Sequence, residues 1–314
     1  MRTTLPSRTP RSVSMTSHRF GASQTSSTDN EWAIGDLLTA VYDRHAVWPD
    51  VDATPGMSTG LAGLDRAIGG LYPGDLVVIG GRPGMGHPRL ALHIAAHLSF
   101  EQGEPVAYFS VDEPAERLGK FVLSARSGIS VNRLCRNELS SDERNRVTQL
   151  IEQARSAPFW IEELATRSVR DVCMAISRLK RKTGLRLVVV DYLQLLEMPG
   201  FVFGRSEELV AIASRLAQLA RDLRITVVLI AQLNRAAERR RDKRPRSTDL
   251  RDCRDVRSIA RRTILLYRLW VYDNSADDRL AEAIVYDPLN DSEVTVPLSF
   301  CFETYLFEDA VVTS

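Results

Sequence analysis

The run Gly80-Gly81-Arg82-Pro83-Gly84-Met85-Gly86-His87-Pro88-Arg89 has the frame of a loop that holds phosphate but lacks the two side chains that act on it. Gly81 and Gly86 stand at the spacing of G-x-x-x-x-G-K-[ST], whose backbone N–H groups cradle phosphate oxygens. In that motif the lysine carries a fixed charge to the outer phosphates and the hydroxyl ligates magnesium. Here the lysine position is His87 and the hydroxyl position is Pro88. A neutral imidazole supplies little charge at pH 7, and proline has neither a hydroxyl nor a backbone N–H. What remains for an anion is the set of glycines and the N-terminus of the following helix. Arg82 or Arg89 is the candidate for the missing charge, although Arg89 also reads as a solvated helix residue. The candidate nucleotide-binding set is therefore Gly81, Arg82, Pro83, Gly84, Met85, Gly86, His87, Pro88 and Arg89.

A second position has chemistry of its own. Leu187-Val188-Val189-Val190-Asp191 is an apolar strand ending in a carboxylate, the form that holds magnesium through water. Many buried strands end in aspartate, so alone it says little. Paired with the glycine-rich loop it points to an ATP-binding fold with Asp191 as metal ligand.

These residues need a scaffold, and the apolar pattern supplies one. Leu76–Ile79, Val106–Val111, Phe159–Ile161, Leu187–Val190, Thr226–Ala231 and Thr263–Tyr267 read as strands. Helical spacing fills the gaps, for example over Arg89–Leu98, Val169–Lys182 and Glu207–Leu223. Alternation of this kind predicts an α/β fold, a parallel sheet with helices on both faces, with ligands at the carboxyl ends of the strands. The 314 residues, 44% of them apolar, suffice for a full core, and the net charge of +1 excludes a global polyelectrolyte character. Cys135, Cys173, Cys253 and Cys301 contain no C-x-x-C pair, which argues against a zinc site or disulfide framework and fits a cytoplasmic protein. No apolar run approaches the ~20 residues that span a bilayer. Residues 1–30 are rich in Ser, Thr and Arg without an apolar segment, which excludes a secretory signal and predicts a disordered tail. Residues 31–58 read as a short amphipathic helix, Trp32 to Val47, and a linker; residues 59–310 hold the alternating pattern.

Several longer words add a family resemblance. T-G-L-A-G-L-D-R-A-I-G-G-L-Y-P-G-D-L (Thr59 to Leu76), V-D-Y-L-Q-L-L (Val190 to Leu196), A-Q-L-N-R (Ala231 to Arg235), D-K-R-P (Asp242 to Pro245) and S-T-D-L-R-D (Ser247 to Asp252) occur in this order. Together they closely resemble the C-terminal motor domain of bacterial replicative DNA helicases of the DnaB type, and the resemblance covers about Thr59 to Asp309. It implies a RecA-like P-loop fold, ATP and Mg2+ as cofactors, single-stranded DNA as a partner, and assembly into a homo-oligomeric ring or with helicase subunits. Trp32 to Val47 then corresponds to the linker helix that docks on a neighbouring subunit.

The resemblance also assigns roles, and several positions depart from the pattern. Asp112, in F-S-V-D-E-P (Phe109 to Pro114), stands where the family has the glutamate that activates the attacking water, and is one methylene shorter. Gln232 matches the glutamine that senses the γ-phosphate. The family's K-x-R-N-G, which reaches into the neighbour's ATP site, falls on Asp287 to Asp291, with Asp287 at the lysine and Leu289 at the arginine. Removal of such an arginine finger costs ~10³–10⁵ in rate. The family's D-L-R-E-S-G-S-I-E-Q-D-A-D becomes D-L-R-D-C-R-D-V-R-S-I-A-R (Asp249 to Arg261), with Arg254 at the glycine that approaches DNA. The basic run Arg239 to Arg246 follows A-Q-L-N-R, where the family's loops face the central channel. Arg235, Arg239, Arg240, Arg241, Arg251 and Arg254 are thus the candidate DNA contacts, pairing with phosphates and reading little sequence. No aromatic stacking partner lies in the run. These departures leave three expectations: a catalytically impaired ATP-driven motor, a non-hydrolysing nucleotide- or DNA-binding subunit, and an adaptor that keeps only the fold.

Overall fold

The computed structural model describes residues 56–250 and 255–310. The expected tail, the helix over Trp32 to Val47, and all of the linker before residue 56 lie outside the described residues. In chain order the elements are α1 (Ala62–Ile68), β1 (Leu76–Gly81), α2 (His87–Gln102), β2 (Val106–Ser110), α3 (Ala115–Ser127), α4 (Val131–Arg136), α5 (Ser141–Ser156), β3 (Phe159–Glu163), α6 (Val169–Thr183) and β4 (Leu187–Asp191). There follow α7 (Arg205–Leu223), β5 (Thr226–Gln232), α8 (Val256–Ile259), β6 (Arg262–Tyr267), β7 (Leu280–Asp287), β8 (Ser292–Cys301) and β9 (Leu306–Asp309).

All nine strands form one sheet in the order β3-β2-β4-β5-β1-β6-β7-β8-β9. The six from β3 to β6 are parallel. β1, β2 and β4 are buried along their whole length, as expected of parallel strands covered on both faces. Glycines in the left-handed conformation close α2 (Gly103), α3 (Gly128) and α6 (Gly184), the ordinary helix stop.

The sheet departs from a purely parallel arrangement at one side. β7, β8 and β9 are antiparallel to their neighbours. The link from β6 to β7 contains only a short 3-10 turn, Leu269–Val271. Without a crossover helix the chain can only fold back on itself, so the pairing must be antiparallel. These strands support the glycine-rich loop from behind. A β-carbon on Gly86 would meet the Phe307 ring at 3.3 Å and the Phe300 ring at 3.7 Å. The fully buried Arg268 donates from Nη1 to the Gly84 carbonyl at 3.3 Å, and its backbone N–H to the Met85 sulfur at 3.1 Å.

Candidate functional site

The carboxyl ends of β1, β2, β4 and β5 meet at one cavity. Register aligns Gly81 with Gln232 and Ser110 with Asp191, while Val190 pairs with Leu229, so β1 and β5 run two residues beyond β2 and β4. The cavity has a volume of about 330 Å³ and is lined by Pro83, His87, Pro88, Asp112, Glu113, Pro114, Arg117, Asp191, Tyr192 and Gln232. Asp112, Asp191 and Gln232, far apart in sequence, are thus brought together beside His87 and Pro88.

The loop's backbone follows the phosphate-loop pattern. Gly84 and Gly86 take φ of 86° and 87°, a conformation that suits glycine, and Pro88 lies in the first turn of α2. The side chains do something else. His87 is 7% exposed and its ring folds back over Gly81, where a β-carbon would sit 2.6 Å from Nδ1. That Nδ1 is buried without a hydrogen-bond partner. Burial, with the nearby Arg89 adding, pulls the imidazole down to about 3. His87 is therefore neutral at any physiological pH.

Neither arginine of the loop replaces the missing charge. Arg82 donates to Glu238 and to the Leu233 carbonyl, at 2.8 Å and 2.9 Å. Arg89 is not the solvated helix residue that its position in sequence suggests. Its side chain is 13% exposed, forms a two-pronged ion pair with Glu113 at 2.8 Å and 2.9 Å, and stacks on Phe121. Of the candidate nucleotide contacts, only Pro83, His87 and Pro88 line the cavity; Arg82 and Arg89 do not. Glu113 and Arg117, which line the cavity, had no signal in the sequence beyond adjacency to Asp112. Ser110 Oγ fixes this turn by donating to the Glu113 carbonyl and accepting from its N–H.

Asp191 is 5% exposed and accepts a hydrogen bond from the Tyr108 hydroxyl at 2.6 Å. Burial pushes its carboxyl up to about 6; the Tyr108 hydrogen bond and Arg89 pull it down, while Glu113 and Asp112 push it up. Gln232 is fixed through its main chain, its N–H donating to Gln194 Oε1 at 2.9 Å and its carbonyl accepting from Gln194 Nε2 at 3.2 Å.

The residues present do not fit a triphosphate with its magnesium. The charged side chains lining the cavity are the carboxylates Asp112, Glu113 and Asp191 against the single cation Arg117, itself 3.1 Å from Glu113. Magnesium in nucleotide sites takes one or two carboxylates and completes its octahedron with phosphate oxygens and water.

The basic run also divides. Arg235, Arg239, Arg241 and Arg246 are exposed. Arg240 is spent within the chain: it grips the buried Asp249 with two hydrogen bonds, at 2.9 Å and 2.5 Å, and the Arg244 carbonyl at 2.8 Å. These bonds make it a brace of this loop. Arg244 pairs with Glu282 through two bonds of 2.7 Å. Lys243 and Arg244 lie over the rings of Tyr272 and Tyr267, so aromatic partners absent from the run itself come from the end of β6 and the turn beyond it. Arg251 and Arg254 lie outside the described residues.

Comparison with known proteins agrees with this fold. Residues 56–309 match the DnaB-like helicase C-terminal domain family. The chain belongs to this family. It is 31% identical over 273 residues to the replicative DNA helicase DnaB of Geobacillus stearothermophilus, covering 86% of this chain and 60% of the relative. The DnaB of Pasteurella multocida is 30% identical over 290 residues, 90% of this chain and 62% of the relative. The chain thus spans about three fifths of the length of these curated relatives. Among solved structures, an ATPase domain superposes with a TM-score of 0.82 at 27% identity, covering 90% of this chain and all of that one. A DnaB-like replicative helicase, solved in a study of its interactions with primase, gives 0.80 at 27% identity, covering 90% and 68%. The fold is the RecA-like one that the sequence words imply. No helix among the described residues is long and apolar enough to cross a membrane.

Proposed function

We propose that this chain is a DnaB-family motor domain that does not hydrolyse ATP and that serves DNA replication or related DNA metabolism as a single-stranded-DNA-binding subunit, in a ring of its own copies or with other helicase subunits. One observation carries the reading: the residue at the lysine position, His87, is a buried neutral ring folded onto Gly81. Pro88 removes the hydroxyl and the N–H beside it. Asp112, Asp191 and Gln232 stand at the family's places of base, metal ligand and sensor around a cavity whose charged side chains are three carboxylates and Arg117. The DNA-binding part rests on the exposed Arg235, Arg239 and Arg241, whose charges suit a phosphate backbone without sequence preference.

The test is phosphate release by the purified full chain with ATP and magnesium, with and without single-stranded DNA. Release at background level is expected from pH 8 to pH 5, since His87 does not charge in that range. Turnover near ~1 s⁻¹, ordinary for an enzyme, and lost in Asp191→Asn, would overturn the reading.

A further inference from the structure

We infer that Tyr108 is a positioning residue that holds Asp191 in the place a divalent cation would otherwise take, so that the cavity is complete without metal. The inference rests on the reading that this chain does not run magnesium–ATP chemistry, and it says what stabilises the carboxylate instead.

The register makes the contact. On neighbouring parallel strands Ser110 lies opposite Asp191 and Tyr108 opposite Val189. Tyr108 is thus the diagonal neighbour of Asp191 on the same sheet face, a separation that an aromatic side chain spans and a short one does not. Its hydroxyl reaches Oδ2 at 2.6 Å, within the short range of hydrogen bonds to an ionised oxygen.

Burial makes the contact binding. Tyr108 is 0% exposed and Asp191 5%. A phenol has one proton to donate, and here it goes to the carboxylate; breaking that bond leaves a buried hydroxyl and a buried charge unsatisfied together. The cations of the loop and the cavity are engaged elsewhere, Arg89 and Arg117 with Glu113 and Arg82 with Glu238. The phenol takes one of the lone pairs of Oδ2, so a cation on that oxygen competes with it. Nor do further ligands compensate: among the described residues no cluster of three or more His, Cys, Asp or Glu is arranged to hold a metal ion. The hydroxyl of Tyr108 and a metal ion compete for the same carboxylate, and this sequence encodes the hydroxyl.

The experiment uses Mn2+ as probe on the nucleotide-free full chain, its binding read by electron paramagnetic resonance, with thermal unfolding alongside. The parent is expected to bind no Mn2+ that Asp191→Asn removes. Tyr108→Phe should bind Mn2+ at least about 10-fold more tightly than the parent, the size of one lost hydrogen bond to a charged group. It should unfold at lower temperature than the parent without Mn2+ and recover with it, and both gains should vanish in Tyr108→Phe/Asp191→Asn. A merely structural tyrosine lowers the unfolding temperature equally with and without Mn2+. Equal Mn2+ affinity in parent and Tyr108→Phe overturns the inference. So does Asp191-dependent Mn2+ binding by the parent, an arm that stands even if Tyr108→Phe does not fold. Because no nucleotide is present, these outcomes are separate from the turnover measurement that tests the proposed function.

Discussion

The imidazole of His87 packs so closely on Gly81 that a β-carbon at position 81 would lie 2.6 Å from Nδ1, 2.9 Å from Cγ and 3.1 Å from Cβ. In the phosphate-loop motif the side chain at position 87 faces the ligand; here it fills space against the strand end. Burial of the ring, with Arg89 nearby, keeps it neutral. The contact makes position 81 dependent on the identity of position 87, which can be measured.

Gly81→Ala is expected to destabilise the fold by ~1–3 kcal/mol, as overpacking does in a dense core. In a His87→Ala background the same substitution should cost much less, since the ring atoms are gone. Urea unfolding of the four proteins of this cycle gives the coupling directly. An identical cost for Gly81→Ala in both backgrounds would mean the ring does not lie where described.

Acid stability follows from the buried histidines, with a sign that can be worked out. Burial, aided by Arg89, holds His87 down to about 3; burial, aided by His97 and Arg126, holds His93 down to about 4; both start from 6.5. Unfolding below pH 6.5 lets each ring take up a proton, so their contribution is full above 6.5 and is lost as pH falls. Asp191 acts in the opposite sense: raised from 3.8 to about 6, it keeps a proton in the fold that the unfolded chain releases, so its contribution falls as pH rises through that window. Between pH 6 and 4 two histidines oppose one carboxyl, a net slope of ~1.4 kcal/mol per pH unit from these three groups. Urea midpoints from pH 7.5 to 4.5 should fall less steeply in His93→Gln and more steeply in Asp191→Asn. An unchanged slope in His93→Gln would show that this ring is not held neutral.

The basic run should separate into two kinds of arginine. Arg240 braces the loop through the buried Asp249, so Arg240→Ala should lower the unfolding temperature and disturb the loop as a whole. Arg235, Arg239 and Arg241 are exposed, and their replacement by alanine should leave stability within ~0.5 kcal/mol. The triple variant should bind single-stranded DNA more weakly, with its salt dependence reduced by ~0.7 for each phosphate no longer neutralised. Fluorescence anisotropy with a labelled oligonucleotide over a salt series checks both. Binding like the parent's by the triple variant would remove this face from consideration and favour the adaptor reading.

What the sequence disclosed and what it concealed have physical reasons. The inner parallel strands were legible because strands covered on both faces are unbroken apolar runs, as in Leu187–Val190. β8 was not, since Ser292 to Pro297 pair with β7 alone and are largely exposed, and Pro297 reads as a strand breaker. Arg89 looked solvated because helical position says nothing of the turn after β2, where Glu113 folds over it. Tyr108 falls inside the strand Val106–Val111, and its hydroxyl acquires a purpose only when β4 is laid beside β2. Local chemistry was readable along the chain, and pairings across strands were not.

The hairpin joining β7 and β8 bears on what one copy of the chain can lend another. Asp287, at the position of the family's lysine, accepts from Arg262 Nη1 and from the Leu289 N–H, each at 2.9 Å, and from Asn290 Nδ2 at 2.9 Å, so its carboxylate fixes the turn. Leu289, at the position of the arginine, is 75% exposed at the tip. An apolar side chain there offers no charge to any phosphate on an adjoining subunit. His87→Lys/Pro88→Thr should therefore restore nucleotide binding, read by equilibrium dialysis, with little gain in turnover. Adding Leu289→Arg should raise turnover by up to ~10³-fold, the lower range for such a residue, and only at protein concentrations where the chain is oligomeric. Mixing the Leu289→Arg variant, unrestored in its own loop, with the His87→Lys/Pro88→Thr variant should also give activity, since one copy then lends the finger and the other the phosphate site. If the double variant alone turns over as fast as the triple, the hairpin tip is not the residue that acts in trans.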